Sequence, residues 1–206
     1  MALSANRPTA PMRDRERGGA ALIIIDMINC FDFVGADKLR AQARRLIHPI
    51  LQLRQEMDAL GAPTIYVNDN FGEWHSEKSR LVDRALGHAA EIVAPLAPRD
   101  EDYFIIKPQF SGFYATNLPL LLPKLGASRL VVTGVATDIC VLFTAADAHM
   151  RDYALWVPKD AVGAELKKRS RGALDIMQAH MDAEIAPSSK LKIGTWLKTL
   201  DKQGLR

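Results

Sequence analysis

The chain has 206 residues, of which 48% are apolar and 25% charged, a balance typical of a globular protein and unlike that of a disordered one. The net charge is only +3 and the basic residues are dispersed, so charge does not indicate a nucleic-acid partner. The apolar runs are too short to span a membrane, and the polar N-terminus lacks the apolar stretch of a signal peptide. We therefore expect a cytoplasmic protein with neither a nucleic-acid nor a membrane partner.

Composition also predicts how the chain is divided. Residues 1–18 are polar and charged, and we predict that they form a flexible N-terminal arm. Residues 19–206 contain neither a repeat nor a linker, which predicts one domain. The two cysteines, Cys30 and Cys140, lack the spacing of a structural zinc site.

Short apolar runs alternate with segments of helical periodicity along this domain. The predicted strands are residues 21–25, 64–67, 103–106, 129–133, 154–157 and 183–186. The predicted helices are residues 36–60, 118–125, 139–150, 165–181 and 189–200. Pro49 predicts a kink or a break in the first helix. Residues 68–80 are polar and aromatic and are predicted to form an active-site loop.

This alternation predicts a three-layer, Rossmann-like α/β fold, with a six-stranded parallel sheet and helices on both faces. In such sheets the ligand site lies beyond the carboxyl ends of the strands. Three reactive side chains fall there: Asp26 after the first strand, Lys107 after the third and Cys140 after the fourth. We expect them to lie close together.

These three residue types suit nucleophilic catalysis. The helix start near residue 137 and the Lys107 ammonium both favour a Cys140 thiolate, and Asp26 can take the thiol proton and return it to a leaving amine. The turn that begins at Gly134 offers backbone N–H groups to an oxyanion. Taken singly, each residue also has a structural interpretation, because a cysteine in apolar surroundings is more often a core thiol.

Three stretches of the chain resemble the isochorismatase-like cysteine hydrolase family. They are ALIIIDM at residues 21–27, the segment 107–153 with GVATDICV as its most specific part, and VPKDAVG at residues 157–163. The resemblance implies a six-stranded parallel sheet and a catalytic triad of Asp26, Lys107 and Cys140. It also implies a cis peptide at Val135–Ala136 and an oxyanion hole made by the backbone N–H groups of Ala136 and Cys140. Because dimers and tetramers are common in the family, we predict a homodimer or homotetramer.

The resemblance also bears on cofactors. The nicotinamidase-like branch of the family binds a metal through an Asp-x-His motif after the second strand and a further histidine, and this chain has Asp69-Asn70-Phe71 there. Phenylalanine cannot ligate a metal, and the placement of His75 and His88 does not restore the pattern. We therefore predict no metal and no other cofactor, and we disfavour a nicotinamidase.

Family members hydrolyse small amides, carbamoyl compounds or ureido compounds, and a separate branch cleaves the vinyl ether of isochorismate. True isochorismatases usually lack the nucleophilic cysteine, so Cys140 favours C–N bond hydrolysis through a covalent acyl-enzyme. The alternatives are a vinyl-ether hydrolase and a catalytically idle binding protein of the same fold.

Six loop side chains near the predicted strand ends are expected to contact a small-molecule substrate: Phe33, Asn68, Trp74, Phe110, Phe113 and Tyr114. Aromatic side chains would suit a flat or apolar acyl group. Trp74 could equally cover a neighbouring subunit. Cys30 is predicted to be a bystander thiol, and His149 and His180 are predicted to be structural.

Overall fold

The computed structural model describes residues 9–74 and 77–204. Its sheet consists of β1 (Gly19–Ile25), β2 (Thr64–Asp69), β3 (Tyr103–Lys107), β4 (Ala127–Val135), β5 (Ala154–Trp156) and β6 (Val162–Gly163). The strand order is β3-β2-β1-β4-β5, β6 pairs with β4, and every pairing is parallel. The predicted six-stranded parallel α/β fold is therefore confirmed.

Within the described residues, six α-helices cover this sheet: α1 (Ala36–Ala59), α2 (Lys78–Val93), α3 (Leu118–Lys124), α4 (Leu142–His149), α5 (Lys167–Met181) and α6 (Ile193–Lys202). A π-helical segment, Thr137–Val141, lies between β4 and α4. Buried side chains of α1, α2 and α6 form the apolar layer on one face, and those of α3, α4 and α5 form the layer on the other. Of the helices in the described ranges, none combines the length and apolarity needed to cross a membrane.

The central strand explains why both layers form. Leu22 and Ile24 of β1 belong to one layer and Ile23 and Ile25 to the other, and all four are fully buried. Successive residues of a strand point to opposite faces, so a continuous apolar run needs a helix layer on each side.

Helix α1 continues through Pro49, so the break considered at that proline does not occur. Pro49 cannot donate a backbone hydrogen bond, which weakens one turn of the helix. Leu46, Ile50 and Leu53 are all buried against the sheet on either side of it. This packing keeps the helix continuous across the weak turn.

The sixth strand is not where the sequence predicted it. The strand that completes the sheet is β6, which pairs with Gly134 and Val135 of β4. In the predicted segment 183–186, Glu184 forms only an isolated parallel bridge to Trp156. Asp182 just before it has a left-handed φ of 50°, and Pro187 just after it has no N–H to donate, so pairing cannot extend in either direction.

Helix α2 was not predicted, and the loop predicted for residues 68–80 is shorter. Strand β2 continues to Asp69 and α2 begins at Lys78. Leu81, Ala85 and Ala89 are spaced four residues apart and are buried, but two of them are only alanines. The helical signal in the sequence is correspondingly weak.

Residues 9–17 of the predicted arm pack on the domain. The Arg15 N–H donates to the Pro123 carbonyl at 3.0 Å, and the Lys124 ammonium donates to the Met12 carbonyl at 2.8 Å. The Arg17 guanidinium donates to the Asp152 carbonyl at 2.9 Å. The flexible arm stays a prediction, and residues 1–8 lie outside the described residues.

Candidate active site

The carboxyl edge of the sheet brings the predicted reactive residues together. Asp26 directly follows β1, Lys107 is the last residue of β3, and Cys140 lies in the π-helical segment after β4. Lys107 Nζ lies 3.0 Å from Asp26 Oδ2 and 3.4 Å from Cys140 Sγ. The Cys140 thiol and the Asp26 carboxylate also interact, since each shifts the pKa of the other. The three side chains therefore contact one another, as their positions at strand ends predicted.

A fourth side chain, which the sequence did not single out, completes this cluster. Asp69 lies directly opposite Lys107 in the pairing of β2 with β3, and its Oδ2 is 3.3 Å from Lys107 Nζ. The Asp69 N–H donates to Asp26 Oδ1 at 2.7 Å. One ammonium thus lies between two carboxylates and a thiol. The pairing register of β2 with β3 would have indicated Asp69, but only if the predicted second strand had extended to this residue.

Burial sets the protonation of this cluster. Lys107 is completely buried and Asp26 is 5% exposed. Burial raises the pKa of Asp26 above its ordinary value, although Lys107 acts in the opposite direction. Burial raises the pKa of Cys140, and the negative charge of Asp26 raises it further. Lys107 lowers this pKa but does not offset the other two effects. Asp26 is therefore a stronger base than an ordinary carboxylate.

Lys107 itself remains charged. Burial alone would lower its pKa, but the neighbouring Asp26, Cys140 and Asp69 side chains together outweigh burial and raise it. The resting cluster thus consists of an ammonium, carboxylates and a protonated thiol. The helix start and Lys107 favour a thiolate, but burial and Asp26 outweigh them and raise the pKa of Cys140.

Three backbone features define the turn between β4 and the π-helical segment. Gly134 has a φ of 107°, and a Cβ there would lie 2.0 Å from the Ile25 carbonyl oxygen, so only glycine fits. The Val135–Ala136 peptide is cis. The Ala136 carbonyl accepts the N–H groups of Ile139 at 3.1 Å and Val141 at 3.2 Å, which ties the turn to the segment that carries Cys140. The oxyanion hole of Ala136 and Cys140 stays a prediction.

Two of the predicted substrate contacts are buried and serve the fold. Asn68 is 1% exposed, and its amide accepts the Ile28 N–H at 3.2 Å and donates to the Ile28 carbonyl at 2.8 Å. It therefore fixes the loop after β1. Phe113 is 3% exposed and packs against the ring of Tyr153 with 5.9 Å between centroids. Most of the surface of these two side chains is used by the fold, and their contact with substrate stays a prediction.

The other four predicted contacts remain accessible: Phe33, Trp74, Phe110 and Tyr114. Phe110 lies 5.7 Å from the ring of Phe143. These two and Tyr114 line an open groove of about 380 Å³, together with the polar side chains of Ser111 and Asp147. Phe33 and Trp74 project from the loops after β1 and β2.

An arginine of α2 connects those two loops. Arg84 lies 2.9 Å from Glu73 and 3.3 Å from Asp32. Cys30, in the same loop as Asp32, is a free buried thiol whose pKa is raised by burial. This environment agrees with its predicted bystander role.

The prediction of no metal depends on the histidines that follow β2. His88 lies on α2 with Nδ1 2.9 Å from the Arg84 carbonyl, and His75 lies outside the described residues. Within residues 9–74 and 77–204, no three His, Cys, Asp or Glu side chains form a group able to hold a metal ion. Metal independence stays a prediction.

Comparison with known proteins agrees with this geometry. The Isochorismatase domain family matches residues 20–188. The uncharacterized isochorismatase family protein YaaI of Bacillus subtilis is 36% identical over 172 residues, which cover 83% of this chain and 95% of that protein. N-carbamoylsarcosine amidase from Thermoplasma acidophilum has 27% identity and a TM-score of 0.66, covering 84% of this chain and 99% of that one.

A shorter match is to ureidoacrylate amidohydrolase RutB of Methylorubrum extorquens, which is 41% identical over 70 residues. These residues cover 34% of this chain and 28% of that protein. The domain match, over residues 20–188, includes Asp26, Lys107 and Cys140, and the similarity to YaaI also extends over most of the chain. The chain therefore belongs to the isochorismatase family and is a hydrolase.

Proposed function

We propose that this protein hydrolyses a C–N bond in a small amide, carbamoyl or ureido substrate through an acyl-enzyme on Cys140. The observation that carries the proposal is the contact of three groups at the carboxyl edge of the sheet. Cys140 supplies a nucleophile, and Asp26, with its raised pKa, supplies a base beside it. Lys107 lies within 3.4 Å of both.

The proposed reaction begins with proton transfer from the Cys140 thiol to Asp26. The thiolate attacks the carbonyl carbon, a C–S bond forms, and the backbone N–H groups of Ala136 and Cys140 stabilise the oxyanion. Asp26 then returns the proton to the leaving nitrogen as the C–N bond breaks, which leaves a thioester. Water, deprotonated by Asp26, attacks this thioester, and the C–S bond breaks to regenerate the thiol.

Lys107 has an electrostatic part in this proposal. Its ammonium is 3.4 Å from the sulfur and stabilises the negative charge that appears there when the proton leaves. A raised pKa keeps it protonated throughout the cycle, so it acts as a fixed charge and not as a proton carrier.

The choice of a C–N bond rests on two similarities. The solved structure with 27% identity is an N-carbamoylsarcosine amidase, and the shorter match is to a ureidoacrylate amidohydrolase. A leaving nitrogen needs a proton, and Asp26 has just accepted one beside it. The proposal includes no metal or other cofactor, a cytoplasmic location and a homodimer or homotetramer.

The test compares Cys140→Ala with the wild type on a panel of small amides, carbamoyl compounds and ureido acids assayed for ammonia release. We expect the variant to lose activity by about 10³-fold or more, since no other group can form the thioester. Intact-mass spectrometry of quenched wild type should detect the acyl adduct. Cys30→Ala is the matched control, because it removes the buried thiol that does not contact the triad.

Amide hydrolysis at a near wild-type rate in Cys140→Ala would exclude the acyl-enzyme. Cleavage of isochorismate that depends on Asp26 but survives Cys140→Ala would instead support the vinyl-ether alternative.

A further inference from the structure

We propose that Asp69 is a positioning residue of the reaction: it shares the Lys107 ammonium with Asp26 and so leaves Asp26 free to take the thiol proton. The inference rests on the proposed function and adds a fourth residue to the triad. It begins from strand register. Asp69 and Lys107 are direct neighbours on β2 and β3, so their side chains leave the sheet on the same face.

The hydrogen bonds of Lys107 show what Asp69 contributes. An ammonium has three N–H donors, and three acceptors surround this one: Asp26 Oδ2 at 3.0 Å, Asp69 Oδ2 at 3.3 Å and Cys140 Sγ at 3.4 Å. Lys107 is completely buried, so a donor that loses its protein acceptor cannot turn to bulk water. Without Asp69 the ammonium would pair more closely with Asp26, and Asp26 would become a weaker base.

Asp69 is held in the orientation that this role requires. Its Oδ1 accepts the Phe71 N–H at 2.7 Å, which fixes the carboxylate and turns Oδ2 toward Lys107. Its own N–H donates to Asp26 Oδ1 at 2.7 Å. One residue therefore fixes the position of the base through its backbone and that of the ammonium through its side chain.

The charges predict a signature that a purely structural role would not produce. Two carboxylates and one ammonium give the cluster one net negative charge, which opposes ionisation of Cys140. Asp69→Asn removes that charge but keeps an oxygen for the Phe71 N–H. The variant should ionise Cys140 more readily, while Asp26, paired more closely with Lys107, becomes a poorer base. The rate of Cys140 alkylation at a given pH should therefore rise, while the rate of hydrolysis falls.

The experiment measures iodoacetamide alkylation of Cys140 against pH by peptide mass spectrometry, which separates it from Cys30, and hydrolysis on the amide panel. For Asp69→Asn we expect the alkylation midpoint to fall by about one pH unit and hydrolysis at pH 7 to fall about tenfold. Asp83→Asn, an exposed change of the same charge on α2, should alter neither. If Asp69→Asn does not fold, Asp69→Ser keeps a small acceptor at this position and is tested in the same way.

An unchanged alkylation midpoint would overturn the role of Asp69. A lower rate of both alkylation and hydrolysis would also overturn this role, because a displaced loop would slow both reactions. If the wild type hydrolyses none of the amides, the proposed function fails, and the alkylation profile still decides whether Asp69 tunes Cys140.

Discussion

Strand β3 has a cluster of charges near each of its ends, and the two clusters differ in what they do to a carboxylate. Just before its amino end, the Arg99 guanidinium binds Asp58 through two hydrogen bonds of 2.8 and 2.9 Å and Asp102 at 3.0 Å. At its carboxyl end, Lys107 lies between Asp26 and Asp69. Both clusters place one cation between two aspartates.

The carboxylates nevertheless respond in opposite ways. Hydrogen bonds from Arg99 lower the pKa of Asp58, whose side chain is 44% exposed and loses little hydration. Burial raises the pKa of Asp26 although its cation is just as close. A neighbouring cation therefore does not by itself determine the strength of a carboxylate as a base. Burial raises the pKa of Asp26 and so makes it a stronger base, and the adjacent Cys140 thiol gives it a proton to accept.

Removing the cations should give the largest contrast between the two ends. Lys107→Met leaves Asp26 and Asp69 close together without their ammonium, and we expect a loss of about 3–5 kcal/mol in the free energy of unfolding at pH 7. Catalysis should fall below detection. Arg99→Met, the matched variant, should retain activity, because its cluster lies at the other end of β3. It should also lose stability, because it leaves Asp102, whose side chain is 1% exposed, without its cation. Urea denaturation and the amide assay measure both.

The pH dependence of the Lys107→Met loss has a defined sign. Without Lys107 the folded-state pKa of Asp26 lies further above its unfolded value, so the folded protein binds more protons than the unfolded one. Stability then falls as pH rises between those two values and is recovered on acidification. Equal losses at pH 5 and pH 8 would contradict this account of the buried carboxylate.

A second prediction concerns the acid limb of activity in the wild type. Asp26 must be ionised to accept the thiol proton, and burial raises its pKa above the ordinary 3.8. The rate should therefore decrease, as pH falls, at a value above that of an ordinary aspartate. The measurement is kcat/KM from pH 4 to pH 9, which reports the free enzyme.

Asp26→Asn should lower kcat/KM by about 10²-fold or more and abolish the acid limb. Asp58→Asn, near the other end of β3, should change neither kcat/KM nor its decrease at acid pH. An acid limb at or below 3.8 would show that the base is not this buried aspartate.

The sequence predicted the carboxyl-end triad because its signals are local. The buried run of β1 ends at Asp26, and the glycine turn before Cys140 follows the buried run of β4. Lys107 ends the third predicted strand in the same way, and the family resemblance then implied that the three residues form a triad. Asp69 was missed for a physical reason: β2 continues through two polar residues, which ordinarily indicate a loop. They extend the strand because Asn68 binds the Ile28 backbone and Asp69 binds Lys107.

Other elements escaped prediction because their stability comes from tertiary contacts. Strand β6 has two residues and is defined by pairing with Gly134 and Val135. Burial of Asn68 and Phe113 likewise depends on partners distant in the chain, so their residue types alone suggested accessible loop positions. Local periodicity carries no information about such contacts.

The smallest predicted effect belongs to the amino-end cluster alone. Arg99 lowers the pKa of Asp58 in the folded state, so this pair stabilises the protein above the unfolded pKa, and the contribution is lost as pH falls toward the lowered folded value. Because the Asp58 side chain is 44% exposed, solvent screening limits the contribution to about 1 kcal/mol or less. Asp58→Asn should therefore lower the free energy of unfolding slightly at pH 7 and by less at pH 3, which lies below the ordinary pKa of 3.8. Salt should reduce the difference at pH 7, since screening weakens exposed pairs more than buried ones. Urea denaturation at both pH values, with and without 0.5 M salt as a roughly threefold excess over physiological ionic strength, tests this. A loss as large as that of Lys107→Met would mean that the partly exposed Asp58 pair contributes as much as the buried Asp26 pair, and would contradict the effect of hydration on these two carboxylates.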